Sequence, residues 1–230
     1  MDIEIEEDLI EEVARMYGYE NIPSKELLGN PPPPIDQSLF ELIYSLKKTL
    51  IDQGFTEVQT YSFFSTKVLN NFDYQKEALV KIANPISAET EYLRNHIWPN
   101  LLEVIDKNLR REIEDIAIFE IGKVYKVKDN ELPEEKYKLA IALYNNTNNP
   151  LPELYQLVKG ALENIGIKLS TAKIDPHGSH FHPVRYTRLM VNGEDLGKIG
   201  EVHKRITDKF GITNRVGVLE IYLEKLTSAW

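Results

Sequence analysis

Near the start of the chain, apolar side chains recur with the spacing of a helix. Leu9, Ile10, Val13, Ala14 and Tyr17 fall at i, i+1, i+4 and i+5, which is one face of a 3.6-residue turn. Gly18 marks its end. Asp8 is placed to cap its start, with Glu11 three residues on as in a capping box. Ahead of it, Asp2 to Ile5 alternates acidic and apolar residues and predicts a short strand. One strand and one helix cannot bury a core, so this segment is expected to close a domain that begins earlier. From Ile22 to Ile35 the chain carries Pro23 and the run Pro31 to Pro34. A proline run lacks amide donors and favours a stiff, extended helix, so residues 23–35 read as a semi-rigid linker. The basic flanks of an SH3 ligand are missing.

From Asp36 onward, helical and strand periods intermix. Helices are expected at Asp36–Gln53, Lys67–Phe72, Pro99–Leu109, Pro152–Asn164 and Arg205–Phe210. Strands are expected at Glu57–Phe63, Leu79–Ile82, Ile116–Ile121, Val124–Lys128, Lys136–Tyr144, Arg188–Val191, Leu196–Glu201 and Val216–Leu223. Asn192-Gly193 is the strongest turn signal and predicts a hairpin. Many strands follow one another with no helix between, so the fold class is α+β with a mostly antiparallel sheet flanked by helices.

The helix at 36–53 carries more apolar surface than one contact needs. At about 100° per residue, Leu39, Leu42, Ile43, Leu46 and Leu50 make a core-facing stripe. Phe40, Tyr44 and Ile51 form a second patch on another side. Two readings stand: a helix buried on both sides within its own domain, or one that packs on another subunit, because monomers rarely expose such patches.

Composition narrows the function classes. The 27 Lys and Arg against 36 Asp and Glu leave a formal charge of −9, a poor surface for gripping nucleic-acid phosphates unaided. With Cys at 0, disulfide scaffolds, thiolate zinc sites and cysteine nucleophiles are excluded, and a reducing cytoplasm fits. No apolar run reaches the roughly 20 residues of a membrane span, and no secretory leader is expected.

Candidate chemistry is sparse. Asp2, Asp8, Glu11 and Glu12 are hard oxygen donors suited to Mg²⁺, but chemistry alone favours helix capping and a dipole contribution. His177, His180 and His182 cluster near Asp175 without helical spacing, and a turn explains them better than zinc. His96 and His203 read as structural. Lys123, Lys126 and Lys128 with Arg94, Arg110 and Arg111 give local positive charge that a solvated strand face accounts for better than a phosphate clamp, which favours bidentate arginine. There is no glycine-rich phosphate loop and no Ser-His-Asp set.

A set of segments then resembles one family. Residues 2–23, DIEIEEDLIEEVARMYGYENIP, resemble a signature stretch of the bacterial phenylalanine–tRNA ligase beta subunit. So, in order, do QGFTEVQTYSF at 53–63, NPIS at 84–87, LRN at 93–95, IFEIG at 118–122, FHP at 181–183 and GKIGEVH at 197–203. The resemblance implies that residues 1–22 end a winged-helix-like domain. It implies that 36–230 form a class II synthetase-like core that does not itself catalyse. The helix at 36–53 would be the interface helix of motif 1. Asp2, Asp8, Glu11 and Glu12 would bind Mg²⁺ together with the alpha subunit, reversing the bland reading above. ATP would be bound by the alpha subunit of an alpha2-beta2 heterotetramer that also binds tRNA.

Departures from the pattern matter too. Lys126 stands where a catalytic relative carries arginine, and the strand VGVLEI at 216–221 has no arginine after it. Adenylation by this chain alone is therefore not expected. Val184 and Lys204 replace the glycine and proline usual in the family, which touches only local turns. The family's editing and anticodon-binding domains are not represented. The competing readings are a stand-alone class II-like ATP-dependent ligase and an oligomerisation module unrelated to translation.

Overall fold

The structure is a computed structural model and describes residues 3–25, 29, 35–129, 131–145, 149–173, 180–227 and 230. Met1, Asp2, the proline run and His177 with Asp175 lie outside these residues. The chain divides into two compact units, Met1–Asp36 and Gln37–Trp230.

The first unit is built on helix α1 (Glu6–Tyr17). The helix begins earlier than Asp8. Asp8 occupies the third helical position, where its Oδ2 accepts the N–H groups of Glu4 at 2.8 Å and Ile5 at 3.1 Å. These two bonds fold the preceding segment into the helix entry, so residues 3–5 make no strand. They also hold the Asp8 carboxyl below its usual pKa. Gly18, at φ 92°, ends the helix by donating to Ala14 O at 3.0 Å. Its apolar face, including Leu9, Ile10, Val13 and Tyr17, is exposed.

The second unit runs α2 (Ser38–Asp52), β1 (Thr56–Glu57), α3 (Thr66–Phe72), α4 (Trp98–Leu109), β2 (Ile116–Lys126), β3 (Glu134–Tyr144), α5 (Pro150–Glu163), β4 (Ser170–Ala172), β5 (Phe181–Val191), β6 (Glu194–Val202), α6 (Lys204–Phe210), β7 (Val216–Tyr222) and α7 (Leu223–Thr227). Among the described residues the strands form one seven-stranded sheet, ordered β1-β2-β3-β7-β6-β5-β4. Only the β1–β2 pair is parallel. The expected α+β class and mostly antiparallel sheet are what the chain adopts.

Alternation along the strands sends side chains to two cores. Leu139, Ile141 and Leu143 of β3 with Leu219 and Ile221 of β7 pack against α2, α5 and α7. Ala140, Ala142, Val216 and Val218 face the other way, onto α3, α4 and α6. The predicted hairpin joins β5 to β6. Asn192 at φ 50° and Gly193 at φ 85° supply the two positive angles that a tight two-residue turn requires.

Four of the strands expected in this unit differ. The stretch at 57–63 is strand only to Glu57; beyond it, Val58 still donates to Phe119 O at 2.8 Å. The chain then turns away to pair with the 92–94 segment, where Phe64 donates to Tyr92 O and Arg94 to Ser62 O. Leu79–Ile82 makes only an isolated bridge, Lys81 to Tyr92, after a 3-10 turn at Lys76–Ala78. The two strands expected at 116–121 and 124–128 are one, because Gly122 and Lys123 stay in register with Lys138 and Tyr137.

Candidate functional site

Where the cover of α3, α4 and α6 stops, the sheet face carries charge. Register places Glu120 of β2 opposite Ala140 of β3, Ala140 opposite Glu220 of β7, and Glu220 opposite Lys198 of β6. Glu120 and Glu220 therefore stand on either side of one small residue. Both are buried. A buried carboxylate survives only with partners, and each has them.

Glu120 binds Arg94, itself 2% exposed, through Oε1 to Nη1 at 2.7 Å. Its Oε2 accepts the hydroxyl of Thr60 at 2.7 Å. The guanidinium also donates to Lys123 O at 3.1 Å and Thr60 Oγ1 at 2.9 Å. Gly122 makes room for it: a Cβ there would lie 2.5 Å from Arg94 Nη2. Glu220 accepts Lys138 Nζ at 2.7 Å and the N–H of Ile97 at 2.7 Å, with His96 Nδ1 at 2.5 Å. Burial alone would raise the pKa of Glu220, but the charges of His96 and Lys138 hold it well below the usual carboxylate range. It is a fixed anion, not a proton carrier near neutrality.

Above this row lies a two-lobed cleft. One lobe, about 390 Å³, is walled by Trp98, His180, Lys198 and Lys225. The other, about 320 Å³, is walled by Asn95, Tyr125, Lys126 and Lys136. His96, Lys138 and Tyr222 line both. No arginine is among the described residues lining either lobe. Arg94 is taken by Glu120, and Arg185 by Glu201 at 2.6 Å. A planar fork for a triphosphate is not present in this cleft.

Sequence reasoning missed Glu220, Lys138 and Glu120. The signal was there: a charged residue inside an otherwise apolar strand, as in VGVLEIY and IAIFEIG. The anticipated positive cluster is dispersed. Arg94 is buried, Arg110 pairs with Asp106 at 3.0 Å, Lys123 with Glu135 at 2.6 Å and Lys128 with Glu131 at 3.4 Å.

The outer helix is the second candidate. On α2, Leu42, Leu46 and Leu50 are buried and Leu39 and Ile43 half-buried against the sheet and neighbouring helices. Phe40, Tyr44 and Ile51 are 64%, 72% and 55% exposed. The second apolar patch is not sealed within the unit.

The remaining candidates hold no closed site. On α1, Glu12 pairs with Arg15 at 2.5 Å and Asp8 is engaged with the backbone. Among the described residues no three His, Asp or Glu side chains form a metal-binding group. Asp8, Glu11 and Glu12 by themselves therefore do not fit a Mg²⁺ cage, and Asp2 lies outside the described residues. His180 Nε2 lies 3.2 Å from Phe72 O, and burial lowers the pKa of this imidazole. His182 accepts the N–H of Val184 at 3.3 Å. His203 caps α6 by accepting from Arg205 N. No described helix is long and apolar enough to cross a membrane.

Comparison with known proteins follows the same lines. The family model for the phenylalanyl-tRNA synthetase beta chain CLM domain matches residues 22–223. A phenylalanine–tRNA ligase beta subunit from Geobacter metallireducens is 32% identical over 98% of this chain and 30% of that protein. Another, from Rickettsia felis, is 34% identical over 98% of this chain and 28% of its own length. The chain thus spans less than a third of these relatives. In fold, it resembles a pyrrolysyl-tRNA synthetase from Desulfitobacterium hafniense, with TM-score 0.63, 22% identity, and coverage of 82% of this chain and 67% of the other. That likeness concerns the fold alone: the class II aminoacyl-tRNA synthetase core.

Proposed function

This chain belongs to the phenylalanyl-tRNA synthetase beta chain family, and from that premise we propose that it is a non-catalytic core that assembles with an alpha subunit. The holoenzyme, an alpha2-beta2 heterotetramer in the cytoplasm, would join phenylalanine to its tRNA using ATP bound by the alpha subunit. This chain's share is assembly and support. The observation that carries the reading is the outward apolar stripe of α2, whose Phe40, Tyr44 and Ile51 have no cover within the unit. The cleft agrees with it, since no arginine among the described residues lines it and Lys138 is held by Glu220.

On the same reading, residues 1–22 close a winged-helix-like domain, and the exposed apolar face of α1 packs within that domain. Residues 23–35 link it to the core at 36–230. Mg²⁺ at Asp2, Asp8, Glu11 and Glu12 is confined to a shell that the alpha subunit completes, because the described carboxylates do not close one themselves. A contribution to positioning tRNA belongs to the full complex.

The test is to mix the chain with an alpha subunit and measure the mass of the product by light scattering. The expected result is a stoichiometric complex that Phe40→Ala with Tyr44→Ala weakens. Parallel incubation with ATP and phenylalanine should give no aminoacyl-adenylate from the chain alone. Adenylate formation by the isolated chain would favour the stand-alone ligase instead.

A further inference from the structure

The two-lobed cleft is neither filled by side chains nor needed for the α2 contact. We propose that it binds a small organic anion in which a flat apolar ring carries a phosphate or carboxylate group.

Volume is the first argument. Lobes of about 390 and 320 Å³ fall in the range of small-molecule sites, and joined through His96, Lys138 and Tyr222 they stay within it. The walls supply flat surfaces: Trp98 and His180 in one lobe, Tyr125 in the other, and Tyr222 in both.

Charge is the second. The chain is formally −9, yet five lysines line the cleft against Glu134, Asp195 and Glu220. Glu220 is neutralised by Lys138, Glu134 pairs with Lys136 at 3.0 Å, and Asp195 with Arg188 at 3.6 Å. No carboxylate is left to repel an anion. Lys126 and Lys198, one in each lobe, form no ion pair among the described residues. Around the Tyr222 ring, the ammonium groups of Lys138, Lys225 and Lys136 stand 4.6, 5.6 and 5.8 Å from the centroid. Lysines act as point charges on phosphate or carboxylate without the fork geometry of arginine, so the site suits one compact anionic group and not a triphosphate.

The third argument is an orphan acceptor. Asn95 lines the second lobe, and its Oδ1 is buried with no hydrogen-bond partner among the described residues. Leaving such an atom unsatisfied is costly; an anionic group brings no donor of its own, so a water carried in with the ligand, donating to both, would satisfy it.

The experiment titrates the 230-residue chain with phenyl phosphate, inorganic phosphate and phenol, read by calorimetry and by amide chemical-shift changes. Phenyl phosphate should bind about tenfold tighter than either part, with shifts concentrated at residues 124–126, 136–138 and 220–222. Benzoate in place of phenyl phosphate separates a phosphate site from a carboxylate site. Lys126→Glu with Lys136→Glu, both exposed positions, should weaken binding by about tenfold. Lys159→Glu on α5, which packs on the opposite sheet face, should leave it within about twofold. If the double variant loses stability, Lys126→Glu alone supplies the comparison. Equal affinity for phenyl phosphate and inorganic phosphate, or undiminished binding by the charge-reversed variants, would overturn the proposal. These outcomes are separate from those of mixing with an alpha subunit, since α2 lies on the other side of the sheet.

Discussion

The two faces of the sheet solve the same burial problem in different ways. Against α2, α5 and α7 the buried side chains are apolar from Leu42 and Leu46 through Ile141 to Leu219, with Asn145 bonded to Glu153 at the edge. On the opposite face the apolar core of α3, α4 and α6 gives way to Glu120 and Glu220, each locked to a cation. The first face is held by area: each buried leucine contributes about 1.5–3 kcal/mol. The second is held by matching, where the pair contributes little net but the loss of one member is expensive. The lesson is that an open charged cleft on a synthetase-like sheet need not be a catalytic one. What decides here is the arginines: none among the described residues lines the cleft, and Arg94 is held by Glu120.

The sharpest way to break this contrast is Lys138→Ala. Lys138 is 3% exposed and Glu220 8%, so removing the ammonium leaves a buried carboxylate with a reduced set of partners. The expected cost is about 3–5 kcal/mol in urea unfolding. Lys138→Met combined with Glu220→Leu should recover most of it, because apolar residues of similar volume often replace a buried pair without loss. If the single and double variants are equally unstable, matching is not what holds this face.

Acid should act on the same face. The folded pKa of Glu220 lies below its ordinary value of 4.5. Its contribution to stability is therefore complete above that value and is lost as pH falls through the lowered one. Between about pH 6 and about pH 3 the wild-type urea midpoint should drop, and Glu220→Gln should drop less. Parallel acid limbs for the two proteins would assign the loss to other carboxylates.

Gly122→Ala tests the neighbouring pair by crowding. The new Cβ would meet Arg94 Nη2 at 2.5 Å, and the guanidinium, bonded on three sides, has little freedom to retreat. A cost of about 1–3 kcal/mol is expected, measured as a shift in thermal midpoint. A neutral result would mean that Arg94 repacks without leaving Glu120.

How much of this was readable in advance follows from distance along the chain. The stripe on α2 was legible, because a helix writes its faces in local spacing. So was the hairpin at Asn192-Gly193. The family segments carried the class II core, which periodicity alone did not. The Lys138–Glu220 pair was not legible: its members are 82 residues apart, and only the fold places β3 beside β7. The charges inside apolar strands announced that something there required a partner, but not which one. The strand expected at 57–63 failed for a related reason. Its β-like composition was correct, yet Asn100 Nδ2 donates to Tyr61 O and Phe63 O at 3.0 Å each, drawing carbonyls away from any ladder.

The smallest effect on stability should come from the outer face of α2, and there the contrast becomes functional. Leu46 is fully buried, and Leu46→Ala should cost about 2–5 kcal/mol. Tyr44 is 72% exposed two residues earlier on the same helix, and Tyr44→Ala should change the urea midpoint by no more than about 0.5 kcal/mol. On assembly the order should invert. Aromatic side chains at the centre of an interface commonly lose about 2 kcal/mol or more on truncation, so Tyr44→Ala with Phe40→Ala should weaken association with an alpha subunit by at least about thirtyfold. Association would be followed by mass measurement in light scattering while folding is followed by urea unfolding. Loss of stability and of assembly in equal measure would mean that this face is part of the unit's own support. Loss of assembly alone would mean that the apolar residues left uncovered on α2 exist for a partner, and that the covered face of the sheet is the platform that holds them in place.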